Sequence, residues 1–204
     1  MIHPDTEIRF VNEKIGVGVF ATKMIPKGTI IWALDDLDII LEEDEIESLE
    51  LMRREIVYKY AYLNDDDRYV LCWDHARYLN HSFSPNVVST VYEIELASRD
   101  ILPGEQITCD YATLGLDEPF ECEPEEGTSS TVVMPDDYLH RYKEWDDLAR
   151  EAFKRLNQVD QPLRHLILPE FVDSINAIAE GRAEPDSFLT LYEEEVKATN
   201  NYQD

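Results

Sequence analysis

Residues 16–21 read GVGVFA, and two glycines this close let a backbone approach a small bound molecule. The letters also match the G-x-G-x-x-A pattern of dinucleotide-binding folds, and Asp38 follows where such folds hold a ribose. That interpretation needs a helix beginning on the glycines, because the helix N-terminus holds the pyrophosphate. Pro26 and Gly28 interrupt such a helix, and residues 29–32 (TIIW) are typical of a strand. We reject the dinucleotide interpretation, which leaves a cofactor-binding turn or an ordinary hairpin glycine pair.

Two further segments follow the glycine pair in a fixed order. The three segments read KIGVGVFA at residues 14–21, ARYLNHSFSPN at 76–86 and ASRDILPGEQITCDY at 97–111. In this order, with IPKG at 25–28, they resemble the SET-domain protein-lysine methyltransferases over about residues 7–122. The resemblance implies an α+β chain with a mainly-β SET fold, made of small curved sheets and a pseudoknot. The pseudoknot is expected to bring Asn80-His81-Ser82 beside the segment that ends at Tyr111.

The resemblance also implies a reaction, methyl transfer from S-adenosylmethionine to the ε-amine of a lysine in a protein, with S-adenosylhomocysteine as product. A lysine amine has a reference pKa of about 10.4 and is protonated at neutral pH, so it cannot attack. An apolar channel and a nearby sulfonium both disfavour the charged form. Positioning for in-line displacement then carries most of the catalysis, without a covalent enzyme intermediate.

Particular residues take roles by this resemblance. Tyr111 is expected to be catalytic, with its hydroxyl where the cofactor pocket meets the lysine channel; a hydrogen-bonded strand-end tyrosine is the alternative. Cys109 is expected in the channel, where many members carry Phe or Tyr. The smaller side chain predicts room for a di- or trimethylated product, although it also suits a plain buried position. The residues expected at the cofactor are Ile15, Gly16, Val17, Gly18, Tyr60, Arg77, Tyr78, Asn80, His81 and Phe120, of which Tyr78 is equally compatible with the core.

The chain departs from the family where many members bind zinc. Phe83 stands where a Cys follows N-H-S, and Pro124 stands where a second Cys would follow Cys122. One thiolate cannot assemble a four-ligand zinc site, so we expect no metal. The helices after Pro135 are expected to close the site instead, with Phe120 or Trp145 stacking on adenine.

The chain that carries these motifs is predicted to have a strand-rich part followed by a helical part. The sequence predicts a SET domain over 1–122, with a helical insert at about 42–60, then an acidic and Ser/Thr-rich loop over 123–135 and a C-terminal helical subdomain over 136–204. Strands are predicted at residues 15–21, 28–34, 37–41, 69–73, 87–97 and 106–111. Apolar stripes predict helices at residues 42–58 (through Ile46, Leu49, Met52 and Ile56), 138–156, 163–178 and 189–196.

The composition is strongly acidic. The 18 Lys and Arg against 44 Asp and Glu give a net charge of −26, which argues against direct nucleic-acid binding and favours a Lys/Arg-rich protein substrate, histone-like or ribosomal. Nine acids lie in residues 35–50 and six in 117–126. They either attract a basic tail to the substrate cleft or form a solvated acidic surface, and both interpretations stay open.

The chain has neither an apolar run long enough for a bilayer nor the apolar start of a signal peptide. Its three cysteines are too few for a disulfide framework. We therefore expect no membrane association and an intracellular location, which includes the nucleus of a eukaryotic host.

The leading hypothesis is a zinc-free, S-adenosylmethionine-dependent protein-lysine methyltransferase. The alternatives are a catalytically inactive SET-like protein-interaction module and a methyltransferase acting on a small molecule or a non-lysine side chain. The sequence leaves the oligomeric state open, and the C-terminal helices are candidates for a dimer contact.

Overall fold

The computed structural model describes residues 1–64 and 66–192, which form small sheets followed by a helical part. The strands are β1 Thr6–Asn12, β2 Gly16–Ala21, β3 Ile30–Ala33, β4 Ile39–Leu41, β5 Tyr62–Leu63, β6 Tyr69–Leu71, β7 Asn80–His81, β8 Val87–Ser89, β9 Ile94–Ala97, β10 Gln106–Cys109, β11 Phe120–Glu121 and β12 Val132–Val133. The α-helices are α1 Glu43–Glu47, α2 Leu51–Tyr60, α3 Tyr138–Leu156 and α4 Val172–Ala179, and 3₁₀ helices cover His75–Tyr78, Tyr111–Thr113, Arg164–Leu166, Pro169–Phe171 and Phe188–Tyr192.

One sheet joins the three segments singled out in the sequence, with strand order β1-β2-β10-β7. β10 pairs antiparallel with β2, opposing Ile107 to Val19, and parallel with β7, opposing Thr108 to Asn80. In the described residues the other sheets have the orders β3-β9-β8, β4-β6-β5 and β11-β12. This mixture of helices and small sheets confirms the predicted fold class.

The strand predicted over 87–97 is wrong as a single element, because it folds back as the hairpin β8–β9. The Thr90 side chain makes the turn: its hydroxyl donates to the Ile94 carbonyl at 2.7 Å and accepts from the Tyr92 N–H at 3.3 Å. Glu93 adopts a left-handed φ of 54°. The turn contains neither Gly nor Pro, so its composition does not differ from that of a strand.

The single helix predicted over 42–58 is also wrong, because α1 ends before Ser48 and α2 begins at Leu51. The Ser48 hydroxyl donates back to the Glu45 carbonyl at 2.6 Å, which competes with helix continuation. Ile46 is buried, but Met52 and Ile56 are exposed. The predicted apolar stripe therefore does not face a core along its whole length.

The C-terminal part packs directly onto the strands. Trp145 and Phe153 of α3 share one hydrophobic cluster with Ile94 and Leu96 of β9. The Gln161 side chain donates to the Gly28 carbonyl at 2.7 Å and accepts from the Ile30 N–H at 2.9 Å. The helical part and the β3-β9-β8 sheet are therefore parts of one packed core.

Two of the predicted C-terminal helices differ from the structure. The stripe over 163–178 is interrupted at Pro169, which begins a 3₁₀ turn ahead of α4. The third stripe forms a 3₁₀ helix at Phe188–Tyr192, and its last member, Val196, lies outside the described residues. None of the helices in residues 1–64 and 66–192 combines the length and apolar character that a bilayer crossing needs.

Candidate active site

The glycine pair lies against the β7 segment. The Asn80 side-chain Nδ2 donates to the Val17 carbonyl at 3.1 Å. A Cβ built at Gly18 would lie 2.7 Å from Asn80 Nδ2 and 2.7 Å from Gln106 Nε2, so any other residue requires these two side-chain amides to shift. Gly16 instead has open space and a φ of 83°, which glycine adopts without strain. Gly18 is therefore favoured by the close approach of neighbouring side chains, and Gly16 by its backbone conformation.

Tyr111 is hydrogen-bonded to His81 and to Leu79. Its hydroxyl donates to the Leu79 carbonyl at 2.8 Å, and its N–H donates to His81 Nδ1 at 3.1 Å. The two rings lie 5.5 Å apart. Burial raises the pKa of the Tyr111 phenol above its usual value, so the hydroxyl stays protonated and acts as a donor.

His81 is neutral in this arrangement. Burial lowers the pKa of His81 to about 4. Because Nδ1 accepts the Tyr111 N–H, the ring proton is on Nε2, and that atom is buried without a hydrogen-bond partner among the described residues. The imidazole therefore fixes the backbone of Tyr111 and carries no charge at neutral pH.

A buried carboxylate ties α3 to the residue before Tyr111. Asp110 is 3% exposed, and its Oδ2 lies 2.6 Å from Arg141 Nη1 and accepts from Trp145 Nε1 at 3.3 Å. Burial raises the pKa of Asp110, and the positive charge of Arg141 opposes that rise. Trp145 is itself buried in the core. The suggestion that Trp145 stacks on adenine is therefore wrong, because its indole belongs to this internal network.

Glu125 connects the acidic loop to the Asn80-His81-Ser82 segment through hydrogen bonds. Its Oε1 accepts from the Ser82 hydroxyl at 2.6 Å and its Oε2 accepts from the Phe83 N–H at 2.8 Å. The Phe83 ring lies edge-on to His81, with centroids 4.4 Å apart. The Glu125 carboxylate therefore joins the acidic loop to Ser82 and Phe83, where Phe83 is the position at which many members of the family carry a zinc-binding Cys. The described residues hold no cluster of three or more His, Cys, Asp or Glu placed to bind a metal.

Replacing Glu125 with alanine is expected to release residues 117–126. It removes two hydrogen bonds to a carboxylate, worth about 1–3 kcal/mol of unfolding free energy in total. Urea unfolding and amide exchange of the loop measure the effect, with the exposed neighbour Glu126→Ala as control. Equal stability and equal loop exchange in the two variants would contradict this role for Glu125.

A cleft of about 1030 Å³ opens beside Tyr111. Cys109, buried in β10, lines it together with Tyr60, Arg77 and Phe120. The Phe120 ring meets Tyr111 edge-on at 5.1 Å. Residues 15–18, Asn80 and His81 are not among the lining residues. Tyr111 therefore lies between the cleft and the Gly18–Asn80–His81 group.

Tyr78 lies next to two of the expected cofactor residues. The ring of Tyr60 lies 5.3 Å from that of Tyr78, and the Arg77 guanidinium lies 5.3 Å from the same ring. Arg77 also donates to the Cys72 carbonyl at 3.3 Å. Ile15 is exposed at the start of the glycine segment.

The charge of the cleft is mainly negative. Lys59 and Arg77 are its basic lining residues, and the acidic ones are Asp67, Glu93, Glu95, Asp117, Glu118 and Asp136. Asp117 and Glu118 come from the second acidic run of the sequence, whereas no residue of the run at 35–50 lines the cleft. The two runs therefore differ in their relation to the site.

Some residues that shape the site carry no recognisable sequence signal. Arg141 and Glu125 lie far along the chain from the groups they bind. Glu125 is one of six acids in its run, and only its two-oxygen contact distinguishes it. Arg141 is a base near the start of α3, a position typical of a solvent-exposed residue.

The small sheets thus hold Tyr111 between a glycine–asparagine–histidine group and an open cleft. Residues 16–112, just under half of the chain, match the sequence profile of the SET domain. Residues 16–112 are thus similar to a SET domain, and this region contains the glycine pair, Asn80, His81 and Tyr111.

One curated protein and one solved structure are similar to part of this chain. Histone-lysine N-methyltransferase trr of Drosophila melanogaster is 32% identical over 110 residues, which is 47% of this chain and 4% of that protein. The chain thus spans only a small part of that relative. A solved structure from Plasmodium falciparum, described as a candidate histone methyltransferase, is 20% identical, with a TM-score of 0.40, and covers 54% of this chain and 95% of that one.

Proposed function

We propose that this protein transfers a methyl group from S-adenosylmethionine to the ε-amine of a lysine in a basic protein. The observation that carries the proposal is the position of the Tyr111 phenol. It is neutral, fixed by the Leu79 carbonyl, and lies between the cleft and the Gly18–Asn80–His81 group.

The residues on the Asn80 side of Tyr111 fit a polar cofactor. The absence of a side chain at Gly18 lets the Asn80 and Gln106 amides approach the backbone closely. The Asn80 side chain makes one hydrogen bond among the described residues, to the Val17 carbonyl, which leaves the rest of its amide for a ligand. Residues 15–18, Asn80 and His81 would hold the cofactor, and Phe120 would cover it. When bound, S-adenosylmethionine supplies a methyl group on a positively charged sulfur.

The cleft side fits a lysine-bearing protein segment. Acidic lining residues attract a basic chain and raise its local concentration, in a salt-dependent way. The Tyr111 hydroxyl is placed to orient the amine. A histone is a suitable first substrate, since the Drosophila relative is named for histone lysine methylation.

The size of Cys109 bears on the product. Cys109 lines the cleft two residues before Tyr111 and is smaller than an aromatic side chain. We therefore expect a di- or trimethylated lysine, which mass spectrometry of the modified protein detects directly. Arrest at one methyl group after prolonged incubation would contradict this expectation.

The proposal is tested by two measurements on the full chain. Calorimetry with S-adenosylmethionine is expected to give saturable binding at one site. Labelling of core histones and ribosomal proteins with tritiated methyl donor is expected to mark lysines. Failure to bind the donor would overturn the proposal. Binding without transfer to any panel protein would count against the enzyme and for an interaction module.

Replacing Gly18 with alanine is expected to weaken donor binding about tenfold or more, because the new Cβ displaces the Asn80 amide or the Gln106 side chain. Gly181→Ala is the control. An added Cβ at Gly181 would meet open space, although the residue has a left-handed φ of 71°. The control should lose about 1 kcal/mol of stability from backbone strain and bind the donor normally. Equal donor affinity in the two variants would remove the argument for a cofactor beside Gly18.

A further inference from the structure

A buried carboxylate in the cleft has no role in the mechanism above. Glu95 of β9 is 7% exposed and lines the cleft together with Cys109 and Tyr111. Its Oε1 accepts from the Ser89 hydroxyl at 2.9 Å, and the Ser89 hydroxyl lies 2.8 Å from Thr113 Oγ1. Ser89 and Thr113 line the same cleft.

Glu95 is not paired with a cation. Among the described residues, no Lys, Arg or His forms a salt bridge with it, whereas the other buried acid of the site, Asp110, is matched by Arg141. Burying an unpaired carboxylate costs free energy, which here appears as a pKa for Glu95 raised by burial to about 7. A cationic ligand would supply the missing charge.

The neighbouring polar atoms also have free capacity. The Tyr62 hydroxyl is buried without a hydrogen-bond partner among the described residues, although Tyr62 lines the cleft. Glu95 lies close enough to Tyr62 and to Cys109 to raise the pKa of both, after the larger effect of burial. Glu95 and Tyr62 line the same cleft, and Trp32, which is opposite Glu95 in the β3–β9 pair, meets the Tyr62 ring edge-on at 5.9 Å.

We propose that Glu95, assisted by the Tyr62 hydroxyl, is the binding site for the positively charged head of the incoming lysine side chain. An alkylammonium offers several N–H donors and one charge, and charge-assisted hydrogen bonds to a desolvated carboxylate are strong. An uncharged head of equal length would leave the carboxylate unpaired, so Glu95 selects for the amine. The identity of the ligand as lysine rests on the proposed function; the preference for an alkylammonium does not.

The test uses n-butylammonium chloride, which carries the end of a lysine side chain, against 1-butanol at equal ionic strength. NMR titration of the full wild-type chain should show the ammonium bound in the cleft at least about tenfold more tightly than the alcohol. Glu95→Gln should abolish that difference. Tyr62→Phe, which removes only the unpartnered hydroxyl, should reduce it and serves as the probe if Glu95→Gln fails to fold. Glu170→Gln, an exposed acid away from the cleft, should behave as wild type.

Two results would overturn the proposal. One is a wild-type chain that does not prefer the ammonium over the alcohol. The other is a preference that stays unchanged in both Glu95→Gln and Tyr62→Phe. Donor binding and methyl transfer, measured on the same proteins, separate this proposal from the proposed function. Ammonium selectivity without donor binding leaves the Glu95 site standing and removes the methyltransferase. Methyl transfer with an unaltered substrate KM in Glu95→Gln removes the Glu95 site alone.

Discussion

Replacing Tyr111 with phenylalanine is expected to lower kcat for methyl transfer by about 10²–10³-fold, the range seen when one pre-positioned donor is removed from an active site. The substitution keeps the ring and its contacts with His81 and Phe120. It removes the hydroxyl that bonds to the Leu79 carbonyl and faces the substrate amine in the proposed mechanism. Donor affinity should change little, because the phenol is not the group proposed to hold the cofactor.

Steady-state kinetics on the protein that labels best, with calorimetry for the donor, check this result. Tyr92→Phe is the matched control, since it also loses a hydroxyl, one that accepts from the Asp186 N–H at 2.8 Å, away from the cleft. The control should lose about 1 kcal/mol of stability and keep kcat. A Tyr111→Phe variant within threefold of the wild-type kcat would rule out a catalytic role for the phenol.

The second large effect is expected on stability, from Arg141→Met. This variant keeps the apolar stem of the side chain and removes the cation beside Asp110, which is 3% exposed. Breaking a buried pair from one side costs about 3–5 kcal/mol, and the partial exposure of Arg141 places the expected loss near the lower end. Because Asp110 directly precedes Tyr111, kcat should fall as well.

Urea unfolding measures the loss. Arg150→Met on the same helix is the control, because its partners Asp147 and Glu184 are exposed and such pairs contribute about 1 kcal/mol or less. Acidification should shrink the penalty of Arg141→Met, since a protonated Asp110 needs no cation and burial already raises its pKa. A loss no larger than that of Arg150→Met would mean that Asp110 is stabilised without Arg141.

The sequence predicted which segments lie side by side better than it predicted the turns between strands and helices. The three ordered segments contain the strands of the β2–β10–β7 sheet. The pairing of Thr108 with Asn80 joins two of these segments directly. The hairpin at 87–97 was missed because its turn depends on the Thr90 side chain, and alternating apolar residues look the same in one strand or two. The break at Ser48 had a similar local cause.

Long-range charge contacts could not be predicted. With 44 acidic residues in the chain, no pattern distinguishes Glu125 or Glu95 from solvated acids, and none indicates the partner of Asp110. Their roles follow from burial and from partners far along the chain, such as Arg141 for Asp110. The stripe at 138–156 did predict α3, because a long amphipathic helix is specified by its own period.

The Gln161 amide has a consequence for how the chain is made. It bonds to both Gly28 and Ile30, which are 133 and 131 residues earlier. During synthesis on a ribosome, the backbone around β3 waits for these partners until the polypeptide has emerged well past α3. The Gly28 carbonyl and the Ile30 N–H therefore lack these two partners until that point.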